Sequence, residues 1–383
     1  MTRIAILGST GSIGVNTLNV ISKMKDGFKV MALSADSNLD LLSKQAFIFK
    51  PRFACIGTGI LPRKVKRLMP ARTKTVSGME GLKEIVSRAD IDLVVFAISG
   101  SACLVPLIEA IKNKKRIALA NKESIVSAGE IIVKLAKKNG VKIIPVDSEH
   151  SAIFQCIDGR AGIVSKIYLT GSGGPLRNVD RHKFDSLSRD FILNHPKWKM
   201  GKKISVDSAT MMNKGLEIIE AKVLFGLPQS RVEILIHPEA IVHSMVEFTD
   251  GAILAQLGTP DMRLPIQYAL TYPDRKPSLV ERVDFSKIKS LSFDKSDVEK
   301  FPSLRLARQA AEDGGTAPAC LCAADEEAVN NFLAGAIKFS DIPRVIEKVL
   351  SRHDNINRRA LTLDDVLAAE DWARQEARSI CYH

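Results

Sequence analysis

Two carboxylates separated by one residue, Asp147 and Glu149, have the clearest chemical potential in this sequence. They follow the apolar run 140–145, which predicts a buried strand, and alternation along that strand would point both acids to one face and Ser148 to the other. Neighbouring carboxylates repel one another, so their burial requires a positive partner. Because Asp and Glu oxygens are the ligands that Mg²⁺ and Mn²⁺ prefer, the pair predicts a divalent metal site. Two solvated acids at a strand end are the alternative.

The elements that would position this pair alternate along the first part of the chain. Apolar runs predict strands at 3–8, 29–33, 53–56, 93–98, 116–119 and 141–144, and helical periodicity occupies 16–24, 104–112 and 130–138. Alternation of this kind predicts an α/β fold, with a Rossmann-like doubly wound parallel sheet over residues 1–150.

Glycines at positions 8, 11 and 14 lie between the first predicted strand and the first predicted helix. This is a G-x-x-G-x-x-G form of the dinucleotide-binding fingerprint, in which the backbone and a helix N-terminus approach a pyrophosphate. Asp36, about twenty residues on, would suit the ribose 2′-hydroxyl of NAD. No Lys or Arg that could bind the 2′-phosphate of NADP occurs within six residues of Asp36. The residues alone therefore leave the nicotinamide undecided, and Asp36 could equally be a solvent-facing turn residue.

A second polar group lies on a helix predicted to begin near residue 204. Asn213, Lys214 and Glu217 are three or four positions apart and can share one helix face. Apolar neighbours favour a buried phosphate and metal site here over an exposed Lys–Glu pair. His237 and His243 could line the same cavity, although a single histidine is more often structural.

Two further segments follow predicted strands. Lys122 lies at the carboxyl edge of the parallel sheet, where it would share a crevice with the acid pair; a surface lysine is the alternative. Residues 170–175, Thr-Gly-Ser-Gly-Gly-Pro, offer backbone N–H groups and the Ser172 hydroxyl to a phosphate, or form an ordinary turn.

Beyond residue 150, predicted strands at 163–170, 232–236 and 252–257 are separated by long irregular stretches. One of these stretches, 187–203, contains His195 and a possible hinge at Gly201, and its length favours a flap. Helical patterns at 303–312, 324–334, 340–351 and 362–378 predict a C-terminal helical bundle. The predicted domains are 1–150 for the dinucleotide, 151–275 for catalysis and dimerisation, a linker at 276–302 and a helical domain at 303–383.

The composition limits the classes of partner. With 55 basic and 43 acidic residues the net charge is +12, which favours anionic ligands such as phosphorylated metabolites or nucleic acid. Only 5% of residues are aromatic and no basic run is interleaved with rings, so we expect no nucleic-acid binding. Six cysteines without paired spacing predict reduced thiols. No apolar stretch approaches bilayer length, so we expect no membrane association and a soluble, cytoplasmic protein.

Seven motifs, in order along nearly the whole chain, together resemble the 1-deoxy-D-xylulose 5-phosphate reductoisomerase family. They are Gly-Ser-Thr-Gly-Ser-Ile-Gly (8–14), Ala-Asn-Lys-Glu-Ser (120–124), Val-Asp-Ser-Glu-His (146–150), Thr-Gly-Ser-Gly-Gly-Pro (170–175), His-Pro-Lys-Trp-Lys-Met-Gly (195–201), Val-Asp-Ser-Ala-Thr-Met-Met-Asn-Lys-Gly-Leu-Glu (206–217) and Leu-Gly-Thr-Pro-Asp-Met-Arg (257–263). Motifs of this length are specific, whereas the last hundred residues are less so.

The resemblance implies the second step of the non-mevalonate isoprenoid pathway. Such enzymes rearrange 1-deoxy-D-xylulose 5-phosphate to a branched aldehyde and reduce it with NADPH to 2-C-methyl-D-erythritol 4-phosphate. A divalent metal (Mg²⁺, Mn²⁺ or Co²⁺) and a homodimer are also implied. The family commonly has Gly-Lys/Arg-Asn where this chain has Asp36-Ser37-Asn38. We therefore expect NADPH to be the coenzyme, with a weaker preference over NADH than usual.

The motifs also imply roles for individual residues. The implied metal ligands are Asp147, Glu149 and Glu217. The implied substrate contacts are Lys122, Ser148, Glu149, Ser172, His195, Trp198, Ser208, Asn213, Lys214 and Glu217. The implied cofactor contacts are Thr10, Gly11, Ser12, Ile13, Ser37, Asn38, Asn121, Glu123 and Gly201, and Asp36 is added to them from its position beyond the glycine loop. The expected catalytic residues are Lys122, Glu149, His150, His195, Glu217 and His243. If Ser148 faces the substrate, strict strand alternation fails, so the strand is expected to end or bend at Asp147.

Two other functions remain open from the sequence. One is a metal-assisted NAD(P)-dependent dehydrogenase of another sugar phosphate or hydroxy acid, without the rearrangement. The other is a non-catalytic dinucleotide-sensing or nucleic-acid-binding protein, which the basic charge motivates and which clustered acids argue against.

Overall fold

The computed structural model describes residues 1–24, 27–58, 62–198, 200–358 and 361–382. Its contacts divide the chain into two compact units. The first comprises Met1–Ser124, Ile132–Ser151 and Asp261–Glu281, and the second comprises Ile125–Ile131, Ala152–Pro260 and the residues from Arg282 onward. Residues 261–281 thus join the N-terminal unit, and the functional division into domains stays a prediction.

The first unit is a seven-stranded parallel sheet with helices in the crossovers. Its strands are β1 (Thr2–Leu7), β2 (Phe28–Ala35), β3 (Phe53–Ile56), β4 (Lys74–Ser77), β5 (Leu93–Phe96), β6 (Arg116–Leu119) and β7 (Ile143–Pro145), in the order β4-β3-β2-β1-β5-β6-β7. Its helices are α1 (Ser12–Lys23), α2 (Leu39–Phe49), α3 (Pro62–Leu68), α4 (Gly78–Ser87), α5 (Leu104–Lys112), α6 (Glu123–Asn139) and, further along the chain, α11 (Arg263–Thr271). The strand order reverses at β1, so the predicted doubly wound sheet is confirmed.

Burial explains why the central strands read as continuous apolar runs. All four residues of β3 and of β5 are buried, because helices cover both faces of a parallel sheet. The edge strand β4 was not predicted, since Lys-Thr-Val-Ser offers a single large apolar side chain. Helix α11 packs on α1, β6 and β7, and the Arg116 guanidinium donates to the carbonyls of Leu270 (3.4 Å) and Tyr272 (3.0 Å). These contacts explain why 261–281 belongs to this unit.

The second unit contains a five-stranded mixed sheet and most of the remaining helices. Its strands are β8 (Val164–Gly171), β9 (Val232–Ile236), β10 (Val242–Phe248), β11 (Ile253–Leu257) and β12 (Asp294–Lys295), in the order β11-β10-β8-β9-β12. Its helices are α7 (Ser148–Ile157), whose first turn belongs to the first unit, α8 (Arg189–Leu193), α9 (Lys202–Thr210), α10 (Met212–Phe225), α12 (Ser303–Asp313), α13 (Ala317–Ala334), α14 (Asp341–Arg352) and α15 (Leu363–Cys381). Thr362 begins α15 with a capping box, in which Asp365 is the reciprocal partner.

Two details differ from the sequence prediction. The helix predicted from residue 204 is two helices, because Met211 adopts a left-handed conformation (φ 62°) that interrupts the hydrogen-bond ladder between α9 and α10. The stretch 276–302, predicted to be a linker, contributes β12 to the sheet by pairing with β9.

His237 holds that stretch in place. Its ring is fully buried, Nδ1 donates to the carbonyl of Ser292 (2.8 Å), and Nε2 accepts the N–H groups of Ile241 (3.2 Å) and Val242 (3.1 Å). The ring also stacks on Phe293 with centroids 4.7 Å apart. His237 is therefore a structural histidine, the alternative that the sequence left open.

The cysteines are free thiols, and five of the six are buried. Burial raises the pKa of Cys55 and of Cys320 to about 12, and raises the pKa of Cys103 as well. Thiols held protonated in this way are poor nucleophiles, which leaves them a packing role. In the described part of the chain, no helix is both long enough and apolar enough to cross a membrane.

Candidate active site

Of the three glycines in the loop after β1, two are required by the backbone packing of the fold and the third is not. Gly8 has φ 87°, and a Cβ there would lie 2.4 Å from the carbonyl oxygen of Ala97. A Cβ on Gly14 would lie 2.3 Å from the carbonyl oxygen of Gly8, because α1 passes directly over the loop. A Cβ on Gly11 would meet nothing closer than 3.5 Å. The absence of a side chain at Gly11, at the exposed N-terminus of α1, therefore leaves room for an anionic ligand.

A buried polar network fixes this loop, and the sequence did not reveal it. The Ser9 hydroxyl donates to Gln45 Oε1 (2.7 Å), Gln45 Nε2 donates back to the Ser9 carbonyl (2.8 Å), and the Gly8 N–H donates to Ser34 Oγ (2.8 Å). The one available signal was Gln45, a polar residue on the buried face of α2. Thr10, Ser12 and Ile13 remain at least partly accessible beside this network.

Asp36, Ser37 and Asn38 follow β2 at the carboxyl edge of the sheet, and all three are exposed. Asn38 is the N-cap of α2 and accepts the N–H of Leu41 (3.2 Å). The Asp36 carbonyl accepts the N–H of Gly57 (3.1 Å), and Asp36 itself is exposed. The three predicted cofactor positions thus lie on one accessible edge.

Asn121 ties together the loops at the carboxyl ends of β5 and β6. Its Nδ2 approaches the carbonyls of Ile98 (2.9 Å) and Gly100 (3.0 Å) and the carboxylate of Glu123 (2.8 Å), while Oδ1 accepts the N–H of Ser124 (2.8 Å). The side chain is buried. Asn121 and Glu123, both predicted cofactor contacts, therefore have a second role in shaping this edge.

The acid pair does not lie on a strand. Helix α7 begins at Ser148, and Asp147 Oδ1 accepts the N–H groups of Glu149 (3.1 Å) and His150 (3.4 Å) as a helix N-cap would. The prediction from strand alternation is therefore wrong. The strand ends at Pro145, two residues before the position at which it was expected to end or bend. Both acids occupy a helix N-terminus, where the helix dipole favours negative charge.

Lys122 belongs to this cluster and is not a surface lysine. Its ammonium lies 2.9 Å from Asp147 Oδ2, and the side chains of Lys122 and Asp147 are 7% and 12% exposed. His150, fully buried, has Nδ1 3.1 Å from Asp147 Oδ1, and the Ser148 hydroxyl donates to the Glu149 carboxylate. The first unit thus brings together five predicted site residues.

In the second unit, the start of α10 presents a buried carboxylate between two donors. Glu217 Oε2 accepts from Lys214 Nζ (2.6 Å) and Oε1 from Asn213 Nδ2 (2.5 Å). Glu217 is 1% exposed and Lys214 is 6% exposed, so the predicted buried face is confirmed. Gly171 lets β8 approach this group, since a Cβ there would lie 2.6 Å from Lys214 Cε.

Ser172 and His195 meet beside the loop that follows β8. Nδ1 of His195 accepts the N–H groups of Lys197 (3.1 Å) and Trp198 (2.9 Å), so Nε2 carries the proton that points to Ser172 Oγ, 3.1 Å away. The tight turn at Gly174 (φ 67°) lies against Ser208, because a Cβ there would be 2.6 Å from the Ser208 carbonyl oxygen. Ser172, His195 and Ser208 are therefore neighbours.

The segment predicted as a flap, 187–203, includes the short helix α8, and its residue Lys199 lies outside the described residues. Trp198 is three residues after His195, and Gly201 is the exposed N-cap of α9. His243 is buried in β10, where the pairing with β11 is irregular between Val242 and Ser244.

Lys203 forms a buried ion cluster that the sequence did not reveal. Its ammonium lies 2.6 Å from Asp207 on the same helix and 2.8 Å from Asp325 on α13. The two carboxylates are 3% and 0% exposed. The i,i+4 spacing of Lys203 and Asp207 was visible in the sequence, whereas the contact with Asp325 is non-local.

Comparison with known proteins identifies the family. Residues 4–129 match the family model for 1-deoxy-D-xylulose 5-phosphate reductoisomerase, 143–225 match the model for its C-terminal domain, and 257–376 match the DXP reductoisomerase C-terminal domain. The 1-deoxy-D-xylulose 5-phosphate reductoisomerase of Acetivibrio thermocellus is 50% identical over 380 residues, with 99% of each chain covered. The chain belongs to the 1-deoxy-D-xylulose 5-phosphate reductoisomerase family.

Other reductoisomerases give the same result. The 1-deoxy-D-xylulose 5-phosphate reductoisomerase 1 of Bacillus cereus is 46% identical over 378 residues, with 98% of each chain covered. A crystal structure of DOX-P reductoisomerase in complex with NADPH, fosmidomycin and magnesium superposes with a TM-score of 0.95 at 40% identity, covering 100% of this chain and 98% of that one. The Zymomonas mobilis enzyme in complex with NADPH has a TM-score of 0.91 at 39% identity, with 99% of each chain covered.

The predicted activity is thereby confirmed as that of a reductoisomerase, which converts 1-deoxy-D-xylulose 5-phosphate to 2-C-methyl-D-erythritol 4-phosphate in the non-mevalonate pathway. The α/β fold expected of the family is confirmed too. A dehydrogenase without rearrangement and a non-catalytic nucleic-acid-binding protein are both set aside.

Proposed function

We propose that Asp147, Glu149 and Glu217 bind the divalent metal of this reductoisomerase. The observation that carries the proposal is that two of these carboxylates are each oriented by a lysine of their own unit, Lys122 for Asp147 and Lys214 for Glu217. Three carboxylate donors suit a hard cation such as Mg²⁺, Mn²⁺ or Co²⁺. Magnesium in related reductoisomerase crystal structures supports a divalent metal as the cofactor.

The substrate phosphate has a matching set of donors in the second unit. We assign it to Ser172, Ser208, Asn213 and Lys214, with the backbone N–H of Gly173 in the tight turn, where the Gly174 N–H donates to Ser172 Oγ (3.3 Å). His195 presents Nε2–H next to the Ser172 hydroxyl, so it contributes another donor to an anionic ligand. Trp198 is placed by the backbone hydrogen bond to the same ring and would cover the ligand when the predicted flap closes.

The reaction needs a polarised carbonyl next to an acidified hydroxyl, and the bound metal supplies that chemistry. Lys122, near the reacting end, stabilises negative charge that develops on substrate oxygens, because it is a buried cation. His150 keeps Asp147 in position through its ring and its backbone N–H. Exclusion of water by Trp198 and the flap protects the rearranged aldehyde until hydride transfer. A catalytic contribution of Glu149 and His243 stays a prediction.

A direct test of the rearrangement is the carbon skeleton of the product. With 13C-labelled 1-deoxy-D-xylulose 5-phosphate and NADPH, the NMR spectrum of the product should show a quaternary carbon that carries the methyl group. An unbranched reduced product would contradict the rearrangement and would indicate a dehydrogenase that only reduces its substrate.

NADPH is proposed to bind at the glycine loop and along the exposed edge formed by Asp36, Ser37 and Asn38, with Thr10, Gly11, Ser12 and Ile13 at its pyrophosphate. Asn121, Glu123 and Gly201 complete the proposed contacts. The fit rests on the open N-terminus of α1 and on the space beside Gly11. NADPH in the Zymomonas mobilis structure supports this coenzyme.

Alanine at two loop glycines should separate folding from coenzyme binding. In Gly14→Ala the new Cβ would overlap backbone atoms, so we expect a loss of about 1–3 kcal/mol in the free energy of unfolding. Gly11→Ala fits the protein, so its stability should be unchanged while the KM for NADPH rises about tenfold or more. Urea denaturation and steady-state kinetics measure the two effects. An unchanged KM in Gly11→Ala would argue against pyrophosphate binding at this loop.

Coenzyme preference should be weaker than the family pattern implies. A cation that binds the 2′-phosphate contributes about 1.5–3 kcal/mol through a charged hydrogen bond, and the chain has Asp36-Ser37 at the position where the family commonly has one. Ser37→Arg should therefore raise the ratio of kcat/KM for NADPH to that for NADH about tenfold, with Ser37→Ala as control. A wild-type enzyme that clearly prefers NADH would refute the assignment.

The proposed homodimer has a candidate interface at β11. This strand is at the edge of its sheet, and Ile253 (51%) and Leu254 (43%) are exposed, as is typical of strands that pair with another chain. In Leu254→Lys, the molar mass measured by light scattering at micromolar concentration should fall from that of a dimer to that of a monomer. Ile163→Lys, at an equally exposed isoleucine (48%), is the matched control and should stay dimeric. A monomeric wild type would refute the dimer.

We also propose that the enzyme works in the cytoplasm and away from membranes.

A further inference from the structure

A cavity of about 510 Å³ in the second unit is lined by none of the residues assigned to substrate, metal or coenzyme. It lies among the segment 181–186 and the first turns of α12 and α14. Three buried rings, Phe184, Phe301 and Phe339, form an apolar part of its wall, with centroids 6.1 Å and 5.7 Å from that of Phe184. Its volume is in the range of small-molecule sites.

The charged lining of this cavity is predominantly positive. Four permanent cations (Arg181, Lys300, Arg305, Arg344) line it together with His182, against two acids (Asp185, Glu347). Some of these charges are already paired inside the protein: Arg305 binds Glu347 (2.7 Å), Arg344 binds Asp341 (3.1 Å), and Asp185 accepts from the backbone and hydroxyl of Ser340 (2.9 and 2.7 Å).

Two of the cations have no acidic partner among the residues that the structure describes. Arg181 donates to the carbonyl of Glu299 (2.8 Å), and Lys300 donates to the carbonyl of Arg177 (2.7 Å). Lys300 also lies 5.4 Å from the centre of the Phe301 ring. Because a carbonyl is neutral, the positive charges of these two side chains are not compensated. This part of the cavity wall therefore favours an anion that also contacts an apolar surface.

Ser303 adds an independent sign that a ligand belongs here. It lines the cavity, it is 1% exposed, and its hydroxyl has no hydrogen-bond partner in the described structure. Buried hydroxyls without partners are rare because their desolvation is not compensated by a hydrogen bond. Ser303 is also the first residue of α12, a helix of 11 residues, so its unpaired hydroxyl lies where the helix dipole attracts an anion.

We propose that this cavity binds a small organic phosphate that carries a short apolar chain. The phosphate lies near Arg181, Lys300 and the N-terminus of α12, where it satisfies the Ser303 hydroxyl. The apolar chain packs on the phenylalanine rings, which supply the hydrophobic contribution. No residue that lines this cavity is assigned to the substrate, so its occupancy does not require turnover.

The test uses pentyl phosphate as the probe and compares two double variants of the full-length protein. Arg181→Gln with Lys300→Gln removes the unpaired cations. Lys183→Gln with Lys338→Gln removes the same charge from exposed positions outside the cavity and is the matched control. Isothermal titration calorimetry gives the stoichiometry and affinity, and pentanol and inorganic phosphate test the two halves of the probe separately.

We expect wild type and control to bind pentyl phosphate at one site beyond the substrate site, and the cavity variant to lose that site or weaken it at least tenfold. The KM for 1-deoxy-D-xylulose 5-phosphate should be the same in all three proteins. Ser303→Ala should weaken binding several-fold, and pentanol or inorganic phosphate alone should bind at least tenfold more weakly than the probe. Equal binding to all three proteins, or a loss that follows an equal rise in substrate KM, would overturn the proposal.

Discussion

Glu217→Gln is expected to lower kcat about 10³-fold at limiting Mn²⁺, because loss of one anionic ligand removes several kcal/mol of metal-dependent transition-state stabilisation. Excess metal should recover part of the activity. The same change leaves the buried ammonium of Lys214 without its carboxylate, so a lower stability is expected as well. Steady-state kinetics over a metal titration, with circular dichroism to confirm folding, measure the effect.

The control for that variant is Glu233→Gln, which neutralises a partly exposed acid on β9 whose partner is Lys166. Its activity and metal dependence should match those of wild type. If Glu217→Gln retained wild-type activity at limiting Mn²⁺, Glu217 would not be a metal ligand. A loss of activity that tracks unfolding alone would show that its role is structural.

Lys203→Met is expected to lower the free energy of unfolding by about 3–5 kcal/mol, because it leaves two buried carboxylates without their shared cation. The acids of this cluster, Asp207 and Asp325, are almost inaccessible, so water cannot replace the ammonium. The shift of the urea midpoint measures the loss.

Two further variants separate this electrostatic effect from lost packing. Lys202→Met, at the exposed neighbouring position, should have little effect. Adding Asp325→Asn to Lys203→Met should recover part of the stability, since one of the buried charges is removed. Equal urea midpoints for Lys203→Met and Lys202→Met would show that the cluster contributes little.

Elements whose apolar residues are bounded by turn residues could be predicted from the sequence. The bounds of β3, β6, β9 and α5 agree with the predicted ranges to the residue. β10 was not predicted, and the break at Met211 was not either, because a left-handed residue that is not glycine has no signal in periodicity. That the strand would end or bend near Asp147 was expected only because the motif required Ser148 to face the substrate.

The sequence predicted which residue types belong to the candidate site, but it predicted few of the contacts between them. Two acids separated by one residue predicted a cation. The apolar neighbours of Glu217 predicted its burial, which the structure confirms. Contacts that join distant positions, such as Ser9 with Gln45 or Lys203 with Asp325, depend on how elements pack and have no local pattern. The roles of individual residues came from the resemblance of whole motifs, since a lone lysine such as Lys122 has no specific signature.

The measurement that tests the central claim most directly is NADPH oxidation with 1-deoxy-D-xylulose 5-phosphate, with and without a chelator. We expect NADPH to be consumed in equal amount to the 2-C-methyl-D-erythritol 4-phosphate formed, the reaction to stop when the chelator removes the metal, and Mg²⁺ or Mn²⁺ to restore it. Oxidation that continues unchanged in excess chelator, or proceeds without the branched product, would contradict a metal-dependent reductoisomerase.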